Sequence, residues 1–175
     1  MNLAASAPSW LLLILAAALA AAAIEDAVRL RISNVTCLAV LISALVAMGL
    51  EGFPLALWQN ALVFVVLLVL GTPLFASGKV GGGDIKLLAC IGLWMDFRSV
   101  FWLLAAVFIA GGVLALLYLG PRIVIPAPRG EDGKPIRRQI PYGLAIVAGA
   151  CLVFASQLGW MKPEPVKPNP FSVRV

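Results

Sequence analysis

Five stretches of this chain carry no Lys, Arg, Asp or Glu: Ser9 to Ile24, Val35 to Leu50, Leu57 to Ala76, Val100 to Leu119 and Tyr142 to Trp160. A hydrocarbon core about 30 Å thick takes about 20 apolar residues as a helix. Four of the stretches reach or approach that length, and Val35 to Leu50 falls a little short of it. The runs are continuous rather than alternating, which excludes a transmembrane β-barrel. Charged residues make up only 12% of the 175 residues and hydrophobic ones 62%, well below the charge of about 25% usual for a soluble domain. The expectation is an all-α fold, a polytopic membrane helix bundle of about six transmembrane helices. Residues 1–160 read as one membrane-embedded domain and residues 161–175 as a proline-rich extramembrane tail.

A sixth run, Ile85 to Met95, is the short one. Eleven helical residues cover only about 16 Å, half a bilayer. Such a segment starts inside the membrane region, crosses a locally thinned site, or is re-entrant; irregular entry is tolerated where backbone lines a polar cavity. Pro73 is expected to kink the preceding helix near its end. No Lys or Arg precedes the first apolar run, whereas Arg29 and Arg31 follow it. A signal peptide has the opposite order, so this run reads as a retained anchor.

The formal charge of +5 resides in loops. With six spans, nine bases share one face: Arg29, Arg31, Lys79, Lys86, Arg122, Arg129, Lys134, Arg137 and Arg138. Four lie on the other: Arg98, Lys162, Lys167 and Arg174. That bias orients the first face to the cytoplasm. No aromatic and basic stripe suited to stacking bases accompanies the charge, so a nucleic-acid partner is not expected. Histidine is absent, which excludes a Ser-His-Asp triad and His-ligated zinc; no cofactor and no metal site are expected. Cys37, Cys90 and Cys151 each lie within an apolar run, with no CxxC pair, and read as buried free thiols.

The acids carry more information. Asp26 follows the first run and Asp84 opens the short one, and two spans separate them. If both spans cross, the two carboxylates emerge on the same side. Two adjacent carboxylates do not readily ionise together and so share a proton. One can then activate water while the other donates to a carbonyl, the chemistry of aspartic proteases. Gly81, Gly82 and Gly83 before Asp84 permit unusual dihedrals and close approach to an extended peptide. The same residues also describe an ordinary helix start, with Asp84 as N-cap. By the same token Asp26 can simply pair with Arg29 or Arg31 in a solvated loop, and Lys86 can snorkel.

Taken together these residues resemble a known family. Gly81-Gly82-Gly83-Asp84 matches the GxGD motif of membrane-embedded aspartyl proteases, and Lys86 extends it to GxGDxK, the form of prepilin peptidases. Asp26 with Arg29, Arg31, Ile32 and Asn34 is similar to that family's first aspartate segment, D-x5-I-P-N, with Ser33 standing where proline is usual. Pro141-Tyr142-Gly143 resembles the PYG segment that opens the last helix of the small members. The likeness extends from Ser9 to Trp160. It implies that Asp26 and Asp84 are the catalytic pair, that Gly81 and Gly83 shape the loop, and that Lys86 steadies Asp84 or the substrate. It further implies removal of leaders from prepilins or pilin-like precursors at the cytoplasmic face of a bacterial inner membrane, with the lipid bilayer as the other partner. Larger members carry an amino-terminal region with cysteine pairs and N-methylate the product. This sequence looks like the short, peptidase-only type of tight-adherence (Flp) pilus systems, without methyltransferase activity. Two rivals remain: a small transporter or channel subunit that uses both acids for cations or protons, and an assembly partner without chemistry.

Overall fold

The computed structural model describes residues 3–52, 55–78, 80–124 and 141–158, with the side chains of 56 and 118–124 left aside. Its order is α1 (Leu3–Ser6), α2 (Ser9–Arg29), α3 (Asn34–Leu50), a 3-10 turn (Leu55–Leu57), α4 (Trp58–Ala76), α5 (Gly82–Gly92), α6 (Phe97–Val124) and α7 (Tyr142–Gln157). The fold is all-helical among the described residues. α2, α4 and residues Phe97–Leu117 of α6 are long and apolar enough to cross a membrane, while α3 and α7 are shorter apolar helices. The outward faces are greasy: Leu13, Phe101, Trp102, Phe108, Ile109 and Leu116 are all exposed. A water-soluble protein would bury such a belt; lipid solvates it without cost.

Because lipid gives helices no hydrophobic reason to associate, their contacts depend on close packing of small residues. Ala18, Ala22, Ala44, Ala47 and Ala150 line the interior. Gly71 of α4 receives Ile85 of α5, and Gly92 of α5 receives Leu67 of α4, at sites where a Cβ would collide. α5 is the central helix. It packs against α3, α4 and α7, while α2 packs on α3 and α7, and α6 on α7 and α4.

The short run resolves clearly. α5 lies antiparallel to α4, with Gly82 against Phe75 at one end and the Leu93 carbonyl accepting from Asn60 Nδ2 (3.1 Å) at the other. Phe97 then meets Trp58 edge to face, at a centroid distance of 5.7 Å. The segment therefore joins the two ends of the bundle and is not re-entrant. Four residues after the helix, Leu93 to Asp96, complete the passage, with Trp94 and Met95 fully buried. Non-helical backbone is tolerated there because protein, not lipid, surrounds it. The Trp94 indole donates to the Val40 carbonyl (3.5 Å) and stands edge to face with Phe154.

Several boundaries differ from the sequence reading. α2 continues past Ile24 to Arg29, so Glu25 and Asp26 are helical rather than in a loop. No residue there breaks a helix, and Arg29 suits the negative end of the dipole. α5 begins at Gly82, three residues before the expected Ile85. α6 begins at Phe97 because Asp96 Oδ1 accepts the Ser99 N–H (2.8 Å). Pro73 lies inside α4, which continues to Ala76. α1 was not foreseen: Leu3 and Ala4 are buried, and the Leu3 N–H donates to the Trp94 carbonyl (3.3 Å). Cys37 and Cys90 are buried as expected, but Cys151 is exposed on α7; a helix apolar on every side does not announce which face turns inward. Lys79, residues 125–139 of the segment expected as a loop from Pro121 to Gln139, and residues 161–175, expected as a tail, lie outside the described residues.

Candidate active site

At one end of the bundle the carboxyl terminus of α2 meets the amino termini of α3, α5 and α7. Asp26, in the last two turns of α2, is only 4% exposed, and Asp84, in the first turn of α5, only 9%. Carboxylates are rarely buried to that extent unless they are bonded or used.

Asp26 is held by α7. Its Oδ2 accepts the Leu144 N–H at 3.1 Å, and the Gly143 N–H also faces the carboxylate. The N-cap of α7 is Pro141, which offers no side-chain acceptor. Asp26 therefore acts as a cap supplied from another helix, satisfying orphan amides and sitting at the positive end of the α7 dipole. Glycine at 143 leaves room for this approach, since a Cβ would lie 2.8 Å from Asp26 Oδ2.

Asp84 is the third residue of α5, not its N-cap as the sequence suggested. Gly81 holds the N-cap position, with φ −69° and ψ 141°. The Asp84 carboxylate turns back onto the Gly81 N–H, as the acid of a capping box does. None of Gly81, Gly82 and Gly83 has a positive φ, so the anticipated unusual dihedrals are not used. What matters is close approach: a Cβ on Gly83 would sit 3.0 Å from the Ile32 carbonyl oxygen and 3.1 Å from Ile32 Cβ. The Gly83 carbonyl also lies 3.8 Å from the Cys37 thiol, which donates to it.

α2 and α5 are bridged mainly by α3 and α7, each of which packs on both. Between the supports of Asp26 and Asp84 sits Ile32, whose Cδ1 would be 2.7 Å from a Cβ on Gly143. One isoleucine thus touches the glycine beside Asp26 and the glycine before Asp84. Lys86 Nζ donates to Asn34 Oδ1 at 3.0 Å, tying α5 to the start of α3; its ammonium is aimed there and not at Asp84. Among the described residues no group of three His, Cys, Asp or Glu side chains is arranged to hold a metal ion.

Residues 13–116 match the sequence model of the type IV leader peptidase family. The chain belongs to that family. The match covers more than half of the 175 residues and includes both Asp26 and Asp84. No curated protein and no solved structure matches the chain. The chain is thus a membrane protein with a leader-peptidase kinship, and its two buried carboxylates lie in the matched region.

Sequence reasoning named Asp26, Asp84, Gly81, Gly83 and Lys86, and the structure gathers all five at this end. It passed over Glu25 and the backbone of Leu144, and gave Ile32 and Gly143 a place in a motif but no function of their own. Pro141-Tyr142-Gly143 was the available signal, because a glycine two residues into an apolar helix asks what occupies the space of its side chain. Ser33, standing where proline is usual, turns out to cap α3. Its Oγ accepts the Thr36 N–H (3.1 Å), and its own N–H donates to Glu25 Oε2 (2.9 Å), a bond no proline can make.

Proposed function

We propose that this peptidase is a membrane-embedded aspartic endopeptidase that removes the leader from prepilin or pilin-like precursors. The observation carrying this reading is the pair of buried carboxylates, Asp26 and Asp84, remote in sequence and on separate helices, whose neighbouring glycines Gly143 and Gly83 both meet Ile32 at one end of the bundle. The pair shares a single proton. The ionised carboxylate takes a proton from water, which adds to the scissile carbonyl carbon, while the protonated partner donates to the carbonyl oxygen. The tetrahedral intermediate then collapses, the C–N bond breaks, and the departing amine takes a proton. Backbone amides of Gly81, Gly143 and Leu144 keep both acids oriented. The substrate's apolar helix lies in the bilayer and delivers its leader junction to the acidic end. The excess of loop bases on that side supports a cytoplasmic orientation in a bacterial inner membrane.

Co-expression with a prepilin tests this. Loss of the leader is expected with the wild-type chain. Asp26→Asn and Asp84→Asn are each expected to abolish cleavage while leaving the protein in the membrane. Leader removal that survives either change would sink the paired-acid mechanism.

A further inference from the structure

The loop between α2 and α3 is clamped at both ends by two consecutive residues. The Leu30 N–H donates to the Asp26 carbonyl (2.9 Å), with Leu30 in the left-handed region at φ 53°. At the other end, Glu25 Oε2 accepts from the Ser33 N–H (2.9 Å) and from the Thr36 hydroxyl (2.9 Å). The Ser33 and Thr36 hydroxyls are themselves 2.8 Å apart. One carboxylate oxygen therefore fastens the entry of α3 to the last turns of α2. Ile32, immediately before Ser33, is the side chain lodged against both Gly83 and Gly143.

We propose that Glu25 is a positioning residue for the reaction: through Ser33 it fixes Ile32 as the spacer that sets the separation of Asp26 and Asp84. This rests on the paired-acid reading above. Three features support the assignment. Glu25 is adjacent to Asp26 yet turned away from it, onto the loop. Its two bonds come from the backbone of Ser33, which directly follows the Ile32 wedge, and from the side chain of Thr36 in the first turn of α3. Both glycines that Ile32 touches leave no slack, because a Cβ at either would already be crowded. A loosened loop would let Ile32 withdraw and the two acids shift, and a displacement approaching 1 Å costs on the order of 100-fold in rate.

The backbone suggests its own rescue. Ser33 has φ −74° and ψ 151°, values proline adopts without strain. Proline at 33 would forfeit the bond to Glu25 but stiffen the loop by another route. In a Glu25→Ala background that bond is already gone; proline there adds rigidity but also removes the Ser33 Oγ cap on the Thr36 N–H.

The experiment measures kcat and KM for prepilin cleavage by full-length protein in proteoliposomes, for wild type, Glu25→Gln, Glu25→Ala, Ser33→Pro and the double Glu25→Ala/Ser33→Pro. Trypsin cutting at Arg29, the exposed last residue of α2, and at Arg31, exposed in the loop, reports loop order without reference to activity. Glu25→Ala is expected to lower kcat on the order of 10- to 100-fold, with KM within about twofold, and to speed trypsin cutting. Glu25→Gln keeps an acceptor oxygen and is expected to retain most of the wild-type kcat. The double variant is expected to recover at least about a third of the rate lost on a logarithmic scale and to resist trypsin better than Glu25→Ala. Wild-type kcat in Glu25→Ala overturns the proposal. So does a dead Glu25→Gln, which would make the charge rather than the bond the agent, and so does a double variant that resists trypsin as well as wild type yet cleaves no faster than Glu25→Ala. Asp26→Asn is run alongside: if it still cleaves, the paired-acid reading fails, whereas failure confined to the Glu25 series leaves that reading intact.

Discussion

Replacing Gly143 with alanine probes how tightly α7 fixes Asp26. The added Cβ would lie 2.8 Å from Asp26 Oδ2, 2.9 Å from its Cγ and 2.7 Å from Ile32 Cδ1. Ordinary contact begins near 3.4 Å, so the carboxylate would retreat by roughly 0.6 Å (3.4 less 2.8). That retreat stretches the 3.1 Å bond from Leu144 towards the limit of useful hydrogen bonding. If about 1 Å of misplacement costs about 100-fold, 0.6 Å costs on the order of 10-fold in kcat. The stability cost is smaller. Overpacking takes about 1–3 kcal/mol, and removing a helical glycine returns about 0.5–1 kcal/mol, a net loss of about 0–2.5 kcal/mol. Prepilin cleavage and thermal unfolding in detergent are to be measured on the same preparation. Gly112→Ala on α6 is the control, since nothing lies within 4 Å of its added Cβ; it is expected to keep wild-type activity and stability. Full activity in Gly143→Ala would refute the claim that the first turn of α7 positions Asp26.

Three further outcomes follow from the same geometry. Lys86→Ala and Asn34→Ala each remove one end of the same 3.0 Å bond; each should lower activity about two- to fivefold, and the double variant should do no worse than the stronger single, because partners in one interaction are not additive. Trp94→Ala empties a fully buried site at the opposite end and should destabilise by about 3–5 kcal/mol, read as a fall in unfolding temperature in detergent. Burial works to raise the Asp96 carboxyl, but hydrogen bonds from Ser99 outweigh it and hold the group below its ordinary value. Its contribution to stability is therefore complete above the unfolded carboxylate range and is lost as pH falls through the depressed folded value. Asp96→Asn should flatten that part of the acid-unfolding curve and leave the neutral-pH cleavage rate unchanged.

Ser33 and Glu25 illustrate why part of the site stayed hidden in the sequence. A serine before an apolar helix announces a cap, and Ser33 is one. Nothing in the local sequence says that its N–H will find a carboxylate eight residues earlier, because that depends on where the loop turns. Leu30 in the left-handed region makes the turn, and leucine is an unusual residue to find there. Ile32 looks like one more apolar residue until two glycines from distant helices close on it. The short run Ile85 to Met95 was likewise ambiguous, since length alone does not distinguish re-entry from passage. Asn60 and Trp58 decided it by meeting Leu93 and Phe97 at the far end.

The sequence by itself determined that this chain is a helical membrane bundle, because uncharged apolar runs of bilayer length have few other stable forms. It also singled out Asp26 and Asp84, because acids are conspicuous in so little charge and two intervening spans bring a chain back to the side it left. Only the tertiary structure decided which amides hold each acid, that Asp84 is inside its helix and not its cap, and that Ile32 stands between their supports. The physical reason is that helices apolar on every side carry no mark of their inward face. Which glycine meets which side chain is settled by the packing of all the helices at once.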